Sequence, residues 1–399
     1  ACDTVAAKAI AVRITQTTDD SLRLFEVEMY ASVLLDFHKN KLPELVAAQN
    51  SRHFKVNKDY TLHLSYLKLT CRSSRDGGIT TWGNVYIKGV HFDGYYEDSA
   101  ENAIMGGAIY VAKDGAVPQL AISNSLFEHF KAKTWGGAIS ATGVGTNVSI
   151  ASSTFESNLV HDTSDGTGGG AVFASGGVQL TVDETTFVSN SGKEGGAVAL
   201  QSTPETQDPA RTRGAFTGCT FKSNIATISA SYSDGTPNEL GGGIYSKNSF
   251  VAVKSSTFTE NKGSNGGGMY IEFTNGGTDS NPITIESTLF SQNTATGTHG
   301  GAGINAEQKN SGGKSMVRFK GGGNAFEGNK HGTVLEGLQL NSWVLGDNAI
   351  VEVDRCPLGK WRDLGTTFDE DSDHLKNIPA CASCPAGKTT TEHPCPSKC

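Results

Sequence analysis

Two short motifs recur along this chain in a fixed pairing, and that recurrence excludes most folds. The first is Gly-Gly, then a small residue, then an apolar one. It reads Gly106-Gly107-Ala108-Ile109, Gly136-Gly137-Ala138-Ile139, Gly169-Gly170-Ala171-Val172 and Gly195-Gly196-Ala197-Val198. It returns as Gly241-Gly242-Gly243-Ile244, Gly266-Gly267-Gly268-Met269 and, with an extra glycine, Gly300-Gly301-Ala302-Gly303-Ile304. Gly77-Gly78-Ile79 is a degenerate first copy. The second motif follows each copy and centres on Phe92, Phe127, Phe155, Phe187, Phe221, Phe258, Phe290 and Phe326, spaced 28 to 37 residues apart. Six of these carry an asparagine three residues on: Asn158, Asn190, Asn224, Asn261, Asn293 and Asn329. Tyr95 and Phe130 take that place in the first two.

The residues before each phenylalanine alternate, as in Leu120 and Ile122, Val148 and Ile150, Leu180 and Val182, Val251 and Val253, and Ile283 and Ile285. Period two over a short run predicts a strand with one buried face. A unit of about thirty residues built from such strands cannot bury its own face and must stack on its neighbours. These features predict an all-β chain, a right-handed parallel β-helix with a small disulfide-rich module after it. Its expected parts are a cap over residues 1–60, about eight coils over 61–350 and a cysteine-rich module over 351–399. At a strand spacing of about 4.8 Å, eight coils make a rod of roughly 40 Å. The phenylalanines should form one buried column and the asparagines an inward ladder joined through their amides. A leucine-rich horseshoe would need a Leu-x-x-Leu-x-Leu frame, which is absent. A β-sandwich would not require the same columns in every unit.

The 49 glycines without a three-residue period, and only 11 prolines, exclude collagen. A net charge of −8 offers no basic patch for nucleic acid, and no apolar run of about 18 residues spans a membrane. No signal peptide opens the chain, as expected of processed protein or of a piece of a longer one. Of eight cysteines, Cys356, Cys381, Cys384, Cys395 and Cys399 cluster at the end. The even number and clustering favour disulfides and an oxidising compartment, hence a secreted or cell-surface protein. Zinc held by Cys381-x-x-Cys384 with His374 or His393 is the alternative. Cys219 sits in a Ser/Thr column two before each phenylalanine and is expected as a buried free thiol.

The paired motifs resemble the polymorphic outer membrane protein repeats first described in chlamydial autotransporters, over roughly residues 77–329. The resemblance implies a β-helical adhesin. Cys381-Ala382-Ser383-Cys384-Pro385-Ala386-Gly387 resembles the small disulfide modules of ephrin-receptor-like repeats. Val12-Arg13-Ile14 with Leu22 to Tyr30 is similar to the last strands of discoidin domains.

Parallel β-helices also carry polysaccharide lyases and hydrolases, which need acids grouped on one outer face. The outward column of the Gly-Gly strand is instead Tyr110, Ser140, Phe173, Ala199, Tyr245 and Tyr270. After each phenylalanine stand Asp93, Glu128 and Glu156, then Val188, Lys222 and Thr259. That early acidic patch is the one place where catalysis is expected if it exists at all. Zinc-protease, phosphate-loop and nucleophile-elbow motifs are absent. Asp165 and Asp234, in two Ser-Asp-Gly-Thr loops, are candidate calcium ligands or simply turn residues. Tyr245 and Tyr270 are expected to stack outward in consecutive coils, either binding sugar rings or packing under an inserted loop. The leading expectation is a non-catalytic structural or adhesion protein without a cofactor. Its partners would be extracellular glycans, surface or matrix proteins, or further copies of itself in a filament. The alternatives are a β-helix lyase or hydrolase and a carbohydrate-binding module of a larger surface protein. An acidic face would favour the enzyme, and a flat aromatic or threonine-rich face would favour binding.

Overall fold

The structure is a computed structural model that describes residues 53–72, 78–95, 103–115, 117–160, 168–203, 211–226, 240–273, 283–297, 301–308, 315–320 and 324–331. It also describes short stretches at 13–16, 42, 44–46, 334–335, 338–342, 349–353, 360–361, 368–369, 374–375 and 382–383. These residues form a parallel β-helix. One coil runs through Ile139–Thr142, Asn147–Ala151, Thr154–Glu156 and Leu159–Val160, and each strand pairs in parallel with its equivalent in the next coil. Stacking yields four long sheets among the described residues: a glycine sheet of 12 strands, an aliphatic sheet of 11, a phenylalanine sheet of 10 and a short closing sheet of 9.

Alternation fixes which way each strand faces. Along Asn147–Ala151, Val148 and Ile150 are buried while Asn147 and Ser149 are exposed. The register then places like on like. Phe127, Phe155, Phe187, Phe221, Phe258, Phe290 and Phe326 are direct neighbours across successive strands. From Phe92 onward their rings stack nearly parallel, with closest centroids 4.5 Å apart. Strand spacing imposes this face-to-face geometry, because each ring leaves its backbone at the same angle. Leu69 and Leu45 continue the column at its beginning.

At the adjoining corner the asparagines form an unbroken ladder. Asn158, Asn190, Asn224, Asn261 and Asn293 each donate from Nδ2 to the Oδ1 of the next, at 2.8 to 3.0 Å. The residue before each of them takes a positive φ, as in Ser157, Ser189, Ser223, Glu260 and Gln292. A second ladder uses the column two before each phenylalanine. Backbone N–H groups of Ser125 and Ser153 donate to the Ser153 and Thr185 hydroxyls. Cys219 occupies this column, and its thiol donates to the Thr217 carbonyl at 3.4 Å, the carbonyl that a hydroxyl would use.

The glycine pairs do two jobs. In most pairs the first glycine takes a left-handed φ, +58° at Gly136, with Gly169 the exception, and the second leaves no room for a side chain. A Cβ on Gly137 would lie 1.9 Å from the Gly170 carbonyl oxygen of the next coil. In the last copy Ile304 pairs with Met269, so Gly301-Ala302-Gly303 is the motif in register.

Parallel pairing begins at Glu44–Val46 and Phe54–Val56, so coils start inside the segment expected to be only a cap. Before them, Arg13–Gln16 pairs antiparallel with Tyr60–Ser65 and covers the first edge of the aliphatic sheet. The far end continues through Ala349–Val353, and the glycine sheet ends in two antiparallel strands, His374–Leu375 against Leu338–Ser342 and Phe368–Asp369 outside it. No helix among the described residues is long and apolar enough to cross a membrane.

Candidate functional site

Residues flanking each buried phenylalanine point away from the core, so both of its neighbours in a strand belong to one outer face. Early in the rod those neighbours are charged. His91 and Asp93 flank Phe92, and Glu128 is the register partner of Asp93 in the next coil. Lys68 is the register partner of His91 in the preceding coil. The His91 imidazole Nε2 lies 2.7 Å from Glu128 Oε1. Lys68 Nζ lies 2.8 Å from Asp93 Oδ2, and His129 Nδ1 is 3.6 Å from Asp93 Oδ1. Glu44 accepts a hydrogen bond from the Thr70 hydroxyl. The bond to Asp93 raises the Lys68 ammonium above its ordinary pKa, keeping it charged. His91, Asp93 and Glu128 are half-buried, and a ligand atom from each falls within 4.8 Å of the others.

The expected acidic patch therefore divides. Asp93 and Glu128 join this cluster, while Glu156, one coil further, is exposed. His91 and Lys68 were not foreseen, because only the position after each phenylalanine was followed. Alternation alone would have found His91, since the residue before each phenylalanine shares the same face, whereas Lys68 precedes Leu69, which only the register adds to the column. His129 was hidden for another reason. It occupies the left-handed corner before the asparagine position, with φ +59°, where the next three coils carry serine.

A second cluster decides between the two readings of the paired tyrosines, contact with sugar rings or packing under covering chain. Tyr245 and Tyr270 stack as expected, 5.9 Å apart, but are only 0% and 1% exposed. They pack with Phe173, Ala199 and Leu240, so the described surface offers no aromatic platform there. Two residues further along their strands lie Lys247, Glu272 and Glu307, in one register column. Tyr245 donates to Glu272 at 3.5 Å, Tyr270 donates to Glu307, and Lys247 Nζ lies 3.2 Å from Glu272 Oε1. Burial, reinforced by these carboxylates, pushes both phenols well above the ordinary tyrosine value. Glu272 and Glu307 escaped the sequence reading because only the first outward column of this strand was followed. At 2% and 5% exposure they serve packing rather than substrate contact.

Beyond the acidic patch the outer faces carry threonine, serine and alanine. Thr154, Thr186, Thr220 and Thr257 stack in one column of the phenylalanine sheet. Ser149, Thr181, Ala215, Ala252 and Thr284 stack on the aliphatic sheet. Asp165 and Asp234, and the cysteines Cys356, Cys381, Cys384, Cys395 and Cys399, lie outside the described residues. Cys71 and Cys219 are buried free thiols. The chain matches no family model, no curated protein and no solved structure.

Proposed function

We propose that this protein is a non-catalytic, extracellular or cell-surface rod that serves adhesion or surface structure through its outer sheet faces. One observation carries the reading: the column Thr154, Thr186, Thr220 and Thr257 repeats a hydroxyl in four consecutive coils on the outer side of the phenylalanine sheet. Hydroxyls repeated at strand spacing, about 4.8 Å, suit a partner that is itself periodic, such as a glycan chain or a neighbouring rod. The likeness of the paired motifs to the polymorphic outer membrane protein repeats supports the same reading.

The lyase or hydrolase alternative rests on Asp93 and Glu128, register partners on adjacent strands. That separation suits a nucleophile and acid pair about 5 Å apart. Against it, Lys68 and His91 already hold these two carboxylates. A glycan array and a turnover assay on the same purified chain separate the readings. The expected result is retention on a glycan or surface-protein panel without cleavage, weakened at least tenfold by Thr186→Lys with Thr220→Lys at unchanged melting temperature. Depolymerisation abolished by Glu128→Gln would replace the adhesion reading with the enzymatic one.

A further inference from the structure

Three potential ligands, His91, Asp93 and Glu128, converge on one outer face near the start of the rod, with a donor atom of each within 4.8 Å of the others. Donor atoms around a tetrahedral Zn²⁺, with bonds of about 2.0–2.1 Å, lie roughly 3.3 Å from one another. His91 Nε2 and Glu128 Oε1 are already 2.7 Å apart. Asp93 lies close enough to complete a face of three ligands, which leaves a fourth position for water. Lys68 occupies only one oxygen of Asp93, Oδ2.

We propose that His91, Asp93 and Glu128, with water in the fourth position, bind one divalent first-row transition ion of the Zn²⁺ type, which clips two consecutive coils together. An imidazole with two carboxylates favours such an ion over calcium, which takes six to eight oxygens. The ion takes the place of the hydrogen bond between His91 and Glu128, and any proton held there leaves to solvent. Lys68 remains on Asp93 and orients it, as an outer partner does for a metal-bound carboxylate. The site resides in the strands themselves: Asp93 and Glu128 are register partners, and His91 stands two residues before Asp93.

The test is a Co²⁺ titration of the full chain, followed by Zn²⁺ competition. One equivalent should bind, giving visible d–d absorption without the intense thiolate charge-transfer band that cysteine ligands produce. Affinity should fall at least tenfold in His91→Ala and in Asp93→Asn, and stay unchanged in Glu156→Gln, whose side chain is exposed one coil away. Saturating Zn²⁺ should raise the melting temperature of the unsubstituted chain and not that of His91→Ala, because a ligand stabilises only the fold that binds it. Absence of saturable binding below about 1 mM would overturn the proposal. So would a thiolate band, or full binding by His91→Ala.

Discussion

Asn224 uses nearly every polar atom it has. Its Nδ2 donates to the Phe187 carbonyl at 2.9 Å and to Asn261 Oδ1 at 3.0 Å, while its Oδ1 accepts from Asn190 N and Nδ2. Aspartate would keep the acceptor, lose both donated bonds and bring a charge into a fully buried column. Asn224→Asp should therefore cost at least about 3 kcal/mol at neutral pH, seen as a drop in urea midpoint. An unchanged midpoint would show that the ladder contributes nothing at that rung. The two buried thiols make a different prediction. Burial pushes Cys71 up to about 12 and Cys219 up to about 11, both from 9.0. Raised folded values favour the neutral thiol, so their contribution is fully present below the unfolded pKa and lost as pH climbs through the folded one. The urea midpoint should fall between about pH 9 and 12 more steeply in the natural sequence than in Cys71→Ala with Cys219→Ser. Parallel pH curves for the two proteins would remove these thiols from the account.

At the scale of the coil, the second glycine of each pair sets how closely one turn of the helix approaches the next. Gly137 is held against the Gly170 carbonyl of the following coil, where a Cβ would stand at 1.9 Å, and against the Leu159 backbone nitrogen, where it would stand at 2.7 Å. Backbone on both sides cannot step aside without breaking ladder hydrogen bonds. Gly137→Ala should thus cost more than about 3 kcal/mol. Gly115 supplies the contrast: its φ is +76°, but nothing lies within 4 Å of the added methyl. Gly115→Ala should cost only the strain of a left-handed alanine, about 1 kcal/mol. Equal losses from the two substitutions, measured by chemical denaturation, would mean that close approach between coils is not what the paired glycines secure.

For the whole molecule, the ends matter as much as the coils. A stack of parallel strands leaves unpaired N–H and C=O groups at its first and last edges, which recruit other chains. Arg13–Gln16 covers Tyr60–Ser65 at one end, and His374–Leu375 covers Leu338–Ser342 at the other. Removing residues 1–20 should expose Tyr60–Ser65 and produce concentration-dependent self-association in sedimentation velocity, with β-structure retained. A trimmed chain that stays monomeric at every concentration would show that the antiparallel strand is dispensable as a cover. Self-association between intact chains, if it occurs, would then use side faces such as the threonine column rather than the ends.

The sequence by itself determined the fold, because a parallel β-helix is a translation. Equivalent residues meet their own kind, so the columns of Phe155, Phe187 and Phe221 and of Asn190, Asn224 and Asn261 could be read directly from spacing. The same logic reached Asp93 and Glu128, which share a column. Tertiary structure decided what spacing does not encode. Tyr245 and Tyr270 point outward from their strands, yet packing with Leu240 and Phe173 buries them. Alternation distinguishes the two sides of a strand, and it cannot tell an outer face open to water from one covered by further chain. His129 came beside Asp93 for a related reason. Its direction is set by a left-handed corner rather than by the pleat, and only the folded backbone fixes where such a corner aims its side chain.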